Sequence, residues 1–158
     1  TPCIVSYSDI FYAKEAIIYL AESDAEIAIS YDPKWQLLWQ KRFENPLDDA
    51  ETFALYSDST LCDIGGKTNN IGDIEGQYMG LLYFTPTGWS RVQYYLNNYL
   101  EQEIDEMSMT SLLSRLIKGG EKIAAIPYYG QWGEIDSESD LRVFELLLPN
   151  LSKGTFNN

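Results

Sequence analysis

The 158-residue sequence contains no histidine. That excludes Ser-His-Asp triads, imidazole general bases and imidazole zinc sites. Chemistry must come from carboxylates, Lys, Arg, Tyr, backbone amides or a metal held by oxygen. Cysteine is scarce: Cys3 and Cys62 allow one disulfide at most. Free thiols in a reducing cytoplasm are the expectation, with Cys3 a small buried hydrophobe in the run Cys3-Ile4-Val5. Positive charge is also short, since 11 Lys and Arg face 24 Asp and Glu for a formal charge of -13. Such a surface repels phosphodiester backbones and anionic headgroups, which excludes nucleic-acid and membrane-surface partners. A nucleotide can still bind where a divalent cation or a local cluster of Lys and Arg offsets the field. No apolar run approaches the roughly 20 residues that span a bilayer, and no signal-peptide pattern opens the sequence. A cytoplasmic location follows as the expectation.

Hydrophobic residues make up 45% of the chain and charged residues 22%, the balance of a globular protein. The length suits one domain over residues 1–158. Cys3 to Tyr7 reads as a short buried strand, Phe11 to Ala21 as a helix and Glu26 to Tyr31 as a second strand. Strand, helix, strand is the mark of an α/β sheet with parallel neighbours. A short helix follows Pro33, then strands Phe53 to Tyr56 and Thr60 to Ile64 about a Ser57-Asp58-Ser59 turn. Gly76 to Phe84 reads as a central strand and Trp89 to Glu103 as a helix. Ser108 caps a helix to Ile117 that stops at Gly119-Gly120, and Lys122 to Tyr129 is a strand. Ser137-Glu138-Ser139-Asp140 resembles a capping box for a last helix, whose apolar face includes Leu141, Phe144, Leu147 and Leu148 and which Pro149 ends.

Two aspartates stand at strand-to-helix junctions: Asp9 after the first strand, and Asp136 between the strand Lys122–Tyr129 and the capped helix. Ligands of open α/β sheets collect at the carboxyl ends of strands. Two such carboxylates brought to one sheet edge suit Mg²⁺, which takes one or two carboxylates and completes its shell with water and phosphate oxygens. The competing reading is structural, because an Asp there is also an ordinary turn or capping residue. Arg42 and Lys67 read first as solvated cations and only second as phosphate contacts.

Several segments carry a resemblance. Ser6-Tyr7-Ser8-Asp9-Ile10, and Gly130-Gln131-Trp132-Gly133-Glu134-Ile135-Asp136 running on to Leu141, resemble the two acidic segments of nucleotidyltransferases that make sugar nucleotides and CDP-linked compounds. Asp73 to Leu81, Trp39 to Glu51 and Met109 to Leu113 are similar, in order, to segments of the branch related to phosphocholine and phosphonate cytidylyltransferases. The resemblance spans about residues 3–147.

It implies a Rossmann-like mixed, mainly parallel sheet flanked by helices, of the nucleotide-diphospho-sugar transferase type. It also implies transfer of a nucleotidyl group, cytidylyl from CTP by preference, to a small phosphate or phosphonate acceptor, with Asp9 and Asp136 holding Mg²⁺. The attacking oxygen is already anionic, so the lack of His is no obstacle. Glu75, Gly76, Gln77 and Trp132 are the candidates for the acceptor side, where a carboxylate and aromatic faces would suit a cationic head; Trp132 reads equally well as packing. The family's Gly-rich segment with its Arg and Lys has no counterpart here. The expectation is an N-terminally incomplete catalytic domain, inactive alone, from a pathway decorating cell-surface polysaccharide or lipid. A sugar-1-phosphate nucleotidyltransferase using UTP, dTTP or GTP is the enzymatic alternative, and a non-catalytic acidic interaction domain is the other.

Overall fold

The computed structural model describes residues 1–147. In chain order they form β1 (Cys3–Ser6), β2 (Ile10–Tyr12), α1 (Glu15–Ala21), β3 (Ile27–Asp32), α2 (Trp35–Arg42), β4 (Phe53–Leu55), β5 (Leu61–Ile64), β6 (Gln77–Phe84), α3 (Pro86–Leu96), α4 (Glu101–Asp105), α5 (Met109–Lys118), β7 (Ala124–Pro127), β8 (Trp132–Glu134) and α6 (Glu138–Leu147). Leu148, Pro149 and the tail to Asn158 lie outside the described residues.

The main sheet has the order β1-β6-β3-β7. Its two inner strands are the most continuously apolar: β3 is buried throughout, and β6 at every residue but Tyr78. A strand buried on both faces needs covering layers and a partner on each side. Helices α1 and α3 pack on the sheet. β6 runs antiparallel to both β1 and β3, while β3 and β7 are parallel. The sheet is therefore mixed: β1, β3 and β7 point one way and β6 the other. The opening strand-helix-strand unit does give parallel strands, but β6 lies between them. β1 ends up at the sheet edge with Cys3 exposed, which corrects the expectation of a buried thiol; both cysteines are free.

Local rules explain most boundaries. Thr85 caps α3, its side-chain oxygen accepting from Gly88 N at 3.0 Å, with Pro86 at the first turn. Ser108 caps α5 in the same way through Ser111 N at 3.2 Å. The expected helix Trp89–Glu103 is two helices. The Asn98 amide donates to the Tyr95 carbonyl at 3.0 Å, taking the oxygen that a continuing helix would need.

The larger departures involve partners distant in sequence. Phe11 and Tyr12 were expected to open the helix Phe11–Ala21; with Ile10 they form β2, paired antiparallel with β8 as Ile10 to Glu134, Phe11 to Gly133 and Tyr12 to Trp132. A β-branched residue and two aromatics suit a strand once a partner is at hand. Gly133 is required in this ribbon. The Phe11 and Phe144 rings meet edge to face with centroids 4.9 Å apart, and a Cβ at 133 would lie 2.3 Å from Phe144 and 2.7 Å from Phe11. Its absence lets α6 sit directly on the ribbon.

Candidate active site

The β2–β8 ribbon sets the acidic centre. Main-chain pairing continues past β2, with Ile135 N donating to Asp9 O at 2.9 Å. Glu134 and Asp136 are two residues apart in extended chain, the spacing that returns side chains to one face. Asp9, Glu134 and Asp136 each bring a carboxylate oxygen within 4.8 Å of the others. Asp9 and Asp136 are exposed and Glu134 is half-buried. Burial pushes the Glu134 carboxyl up to about 7, the Asp136 charge adds to this, and Arg42 opposes it. Hard oxygen donors of this kind can hold a divalent cation.

Arg42, the last residue of α2, lies behind these carboxylates with its side chain fully buried. Its Nε donates to Asp140 Oδ1 at 2.8 Å, Nη2 to Asp136 Oδ2 at 2.9 Å and Nη1 to Glu134 Oε2 at 3.4 Å. The guanidinium also lies 5.3 Å from the Trp39 ring centroid and 5.0 Å from that of Phe43. Burial works against its charge, but the surrounding carboxylates outweigh that and raise its pKa. Asp140 is likewise pushed up by burial, yet hydrogen bonds from Arg42 and Ser137 hold it below its ordinary value. The expectation of a solvated Arg42 is overturned, because an unpaired buried guanidinium would be prohibitively costly and three carboxylates surround this one.

A cleft of about 250 Å³ opens beside the acidic centre, lined among others by Tyr7, Trp39, Glu51, Gln77, Tyr78 and Asp136. Gly80 shapes its floor. Its φ of +76° and the 2.8 Å approach of the Tyr7 ring to a would-be Cβ both require glycine. Burial pushes the Glu51 carboxyl up, against a hydrogen bond from Thr110 and the charge of Lys67. The Tyr78 hydroxyl is buried without a partner among the described residues.

In an alignment of 146 positions that covers 89% of this chain, it is 37% identical to the CTP:phosphoglutamine cytidylyltransferase of Campylobacter jejuni. The chain is thus similar to a cytidylyltransferase over most of its own length. It spans 57% of that relative's length. The inositol-1-phosphate CTP transferase of T. maritima shares its fold with a TM-score of 0.68 at 18% identity, over 98% of this chain and 57% of that one. No family model matches the chain. Among the described residues no helix is long and apolar enough to cross a membrane.

Within this cytidylyltransferase-like fold the sequence-derived candidates separate. Asp9 and Asp136 come together, although on the β2–β8 ribbon rather than at the edge of the main sheet. Gln77 lines the cleft, but its amide clasps a neighbour: Nε2 donates to Glu51 O at 2.7 Å, and Glu51 N donates to Oε1 at 3.2 Å. Glu75 is exposed outside the cleft, with Leu55 N donating to its carboxylate at 3.4 Å. Gly76 is buried against the Tyr31 ring. Trp132 is buried and lines a separate hollow of about 290 Å³ with Asp32, Lys34 and Tyr129. Sequence reasoning missed Glu134, Arg42 and Glu51. Glu134 was legible as the acid two positions before Asp136. Arg42 carried no such signal, because its partners lie more than ninety positions away.

Proposed function

We propose that this chain supplies the metal- and acceptor-binding part of a cytidylyl transfer: a phosphate or phosphonate oxygen of a small acceptor attacks the α-phosphorus of CTP, the bond to the bridging oxygen breaks, and pyrophosphate leaves. The convergence of Asp9 with Glu134 and Asp136, the latter two lining the cleft, carries this reading, together with the 37% identity to a CTP-dependent enzyme.

The donor set fits Mg²⁺: all three groups offer carboxylate oxygens, and two are open to solvent, which leaves room for the water and phosphate oxygens this ion keeps. When bound, Mg²⁺ supplies charge neutralisation between two anions. The chain's residues then have separate tasks. Asp9, Glu134 and Asp136 hold the ion. Tyr7, Trp39 and Tyr78 wall the cleft and exclude water from one side of the acceptor. Glu51 places negative charge at the acceptor end, where an ammonium-bearing acceptor would be favoured over a second anion. No group here needs to remove a proton, since the attacking oxygen is ionised near neutral pH, so positioning and electrostatics carry the catalysis. CTP and Mg²⁺ are cytosolic supplies, so we place the reaction in the cytoplasm.

The test is pyrophosphate release by the full-length protein. Asp9→Asn and Asp136→Asn should each slow it about 10²-fold or more at unchanged fold, in line with the loss of a charged group from a preorganised site. Native turnover in both variants would remove the metal assignment. A preference for UTP, dTTP or GTP over CTP would redirect the reading to the sugar-1-phosphate enzymes.

A further inference from the structure

The acidic centre has a feature that binding a cation does not by itself require: two of its three carboxylates share one buried arginine. We infer that Arg42 is a positioning residue, a guanidinium template that orients Glu134 and Asp136 so that each keeps one oxygen for a divalent cation. The inference rests on the metal reading above and adds the part of the chain that makes the site competent.

The geometry supports this in three steps. First, the guanidinium is rigid and planar, with its N–H groups in a fixed fork. Nε, Nη1 and Nη2 reach Asp140, Glu134 and Asp136 respectively, so the relative placement of the three acids is set by one planar group. Second, Arg42 occupies only Oε2 of Glu134 and Oδ2 of Asp136. Among the described residues Oε1 of Glu134 and Oδ1 of Asp136 accept no hydrogen bond from the protein. Third, the template is itself anchored. Asp140 takes the shortest of the three contacts and is fixed in turn: Ser137 Oγ donates to its Oδ2 at 2.8 Å, and Asp136 N donates to the same oxygen at 3.2 Å. The Trp39 and Phe43 rings border the guanidinium. Asp140 thus connects Arg42 to the backbone of Asp136, one of the residues being positioned.

A rival account makes Arg42 only a counter-charge that relieves repulsion among the acids. The two differ in sign. Removing a positive charge beside a cation site should tighten cation binding if charge alone matters, and loosen it if orientation matters. A lysine at 42 keeps the charge and loses the fork, so the charge account expects no change. Loss of an outer partner that orients metal ligands weakens metal affinity by about 10–100-fold.

The experiment is titration of the full-length protein with Mn²⁺ alone, followed by electron paramagnetic resonance of the free ion. Thermal melting and the near-ultraviolet circular dichroism of the tryptophans report the fold. Arg42→Lys should bind Mn²⁺ at least about tenfold more weakly than native protein. Asp140→Asn, which loosens the anchor and leaves the arginine in place, should weaken binding in the same direction by a smaller factor. A folded Arg42→Lys with Mn²⁺ affinity within about twofold of native overturns the inference, as does tighter binding. If Arg42→Lys does not fold, native affinity in folded Asp140→Asn overturns it. Failure of both to fold makes Arg42 a fold-holding residue alone. No Mn²⁺ binding by native protein overturns the metal reading itself, and the inference with it.

Discussion

Trp132 donates its indole N–H to the buried carboxylate of Asp32 at 2.9 Å, tying β8 to the end of the central strand β3. Lys34 N donates to the other Asp32 oxygen at 2.6 Å. Burial pushes the Asp32 carboxyl up, while the bonds from Trp132 and Lys34 pull it back. Trp132 is therefore placed as a structural donor rather than as a wall of the cleft.

Trp132→Phe is expected to keep most of the ring packing and leave one Asp32 oxygen unsatisfied. The loss should be about 1–3 kcal/mol, the usual consequence of orphaning a buried acceptor, read as a lower midpoint in urea unfolding. The KM for the acceptor should stay within about twofold, since the indole lies outside the cleft. A large rise in KM at unchanged stability would return Trp132 to the acceptor site.

That pair also shows what was legible. The strand Ile27–Asp32 announced itself through alternation and β-branched residues, Gln77–Phe84 through its apolar run, and α5 through Ser108 and Gly119, because those signals are local. The β2–β8 ribbon was not legible, because Ile10-Phe11-Tyr12 fits a helix or a strand until its partner at 132–134 is known. Asp9 and Asp136 were readable from their junctions and from resemblance. Arg42 was invisible for a different reason: a basic residue at the end of a helix looks like an ordinary solvated cation, and only the tertiary fold encloses it among acids.

The pH response of the acidic centre follows from Glu134. Its ordinary pKa of 4.5 is raised to about 7 in the metal-free fold, so between those values the folded state binds more protons than the unfolded one. Stability then falls as pH rises through that window and is flat above it. With the side chain about 25% exposed the loss is roughly 1–3 kcal/mol after solvent screening. Glu134→Gln should abolish this slope in metal-free chemical unfolding and leave the variant more stable than native protein at pH 8. A divalent cation reverses the sense, since it binds the ionised form: Mn²⁺ affinity should rise with pH up to about 7 and level off above it. A native slope in Glu134→Gln would assign the titration to another group.

The clasp between Gln77 and Glu51 separates two candidates that look alike in sequence. Gln77 exchanges two hydrogen bonds with the Glu51 backbone, at 2.7 and 3.2 Å, and so fixes the loop that carries the Glu51 carboxylate into the cleft. Gln77→Ala breaks both and leaves a half-buried carbonyl and amide without their partner, which costs about 1–2 kcal/mol. It should also raise the acceptor KM several-fold at nearly unchanged kcat, because the displaced group acts on binding before chemistry. Glu75 is two positions away in the same segment, and a strand's period of two turns both side chains to one side. Yet Glu75 is exposed beyond the end of β6 and bears on Leu55 N at 3.4 Å, outside the cleft. Glu75→Ala should therefore leave KM and kcat within about twofold of native and change stability by less than about 0.5 kcal/mol, as surface substitutions do. Equal rises in KM for the two variants would place the acceptor along β6 itself, rather than in the cleft beside Glu51.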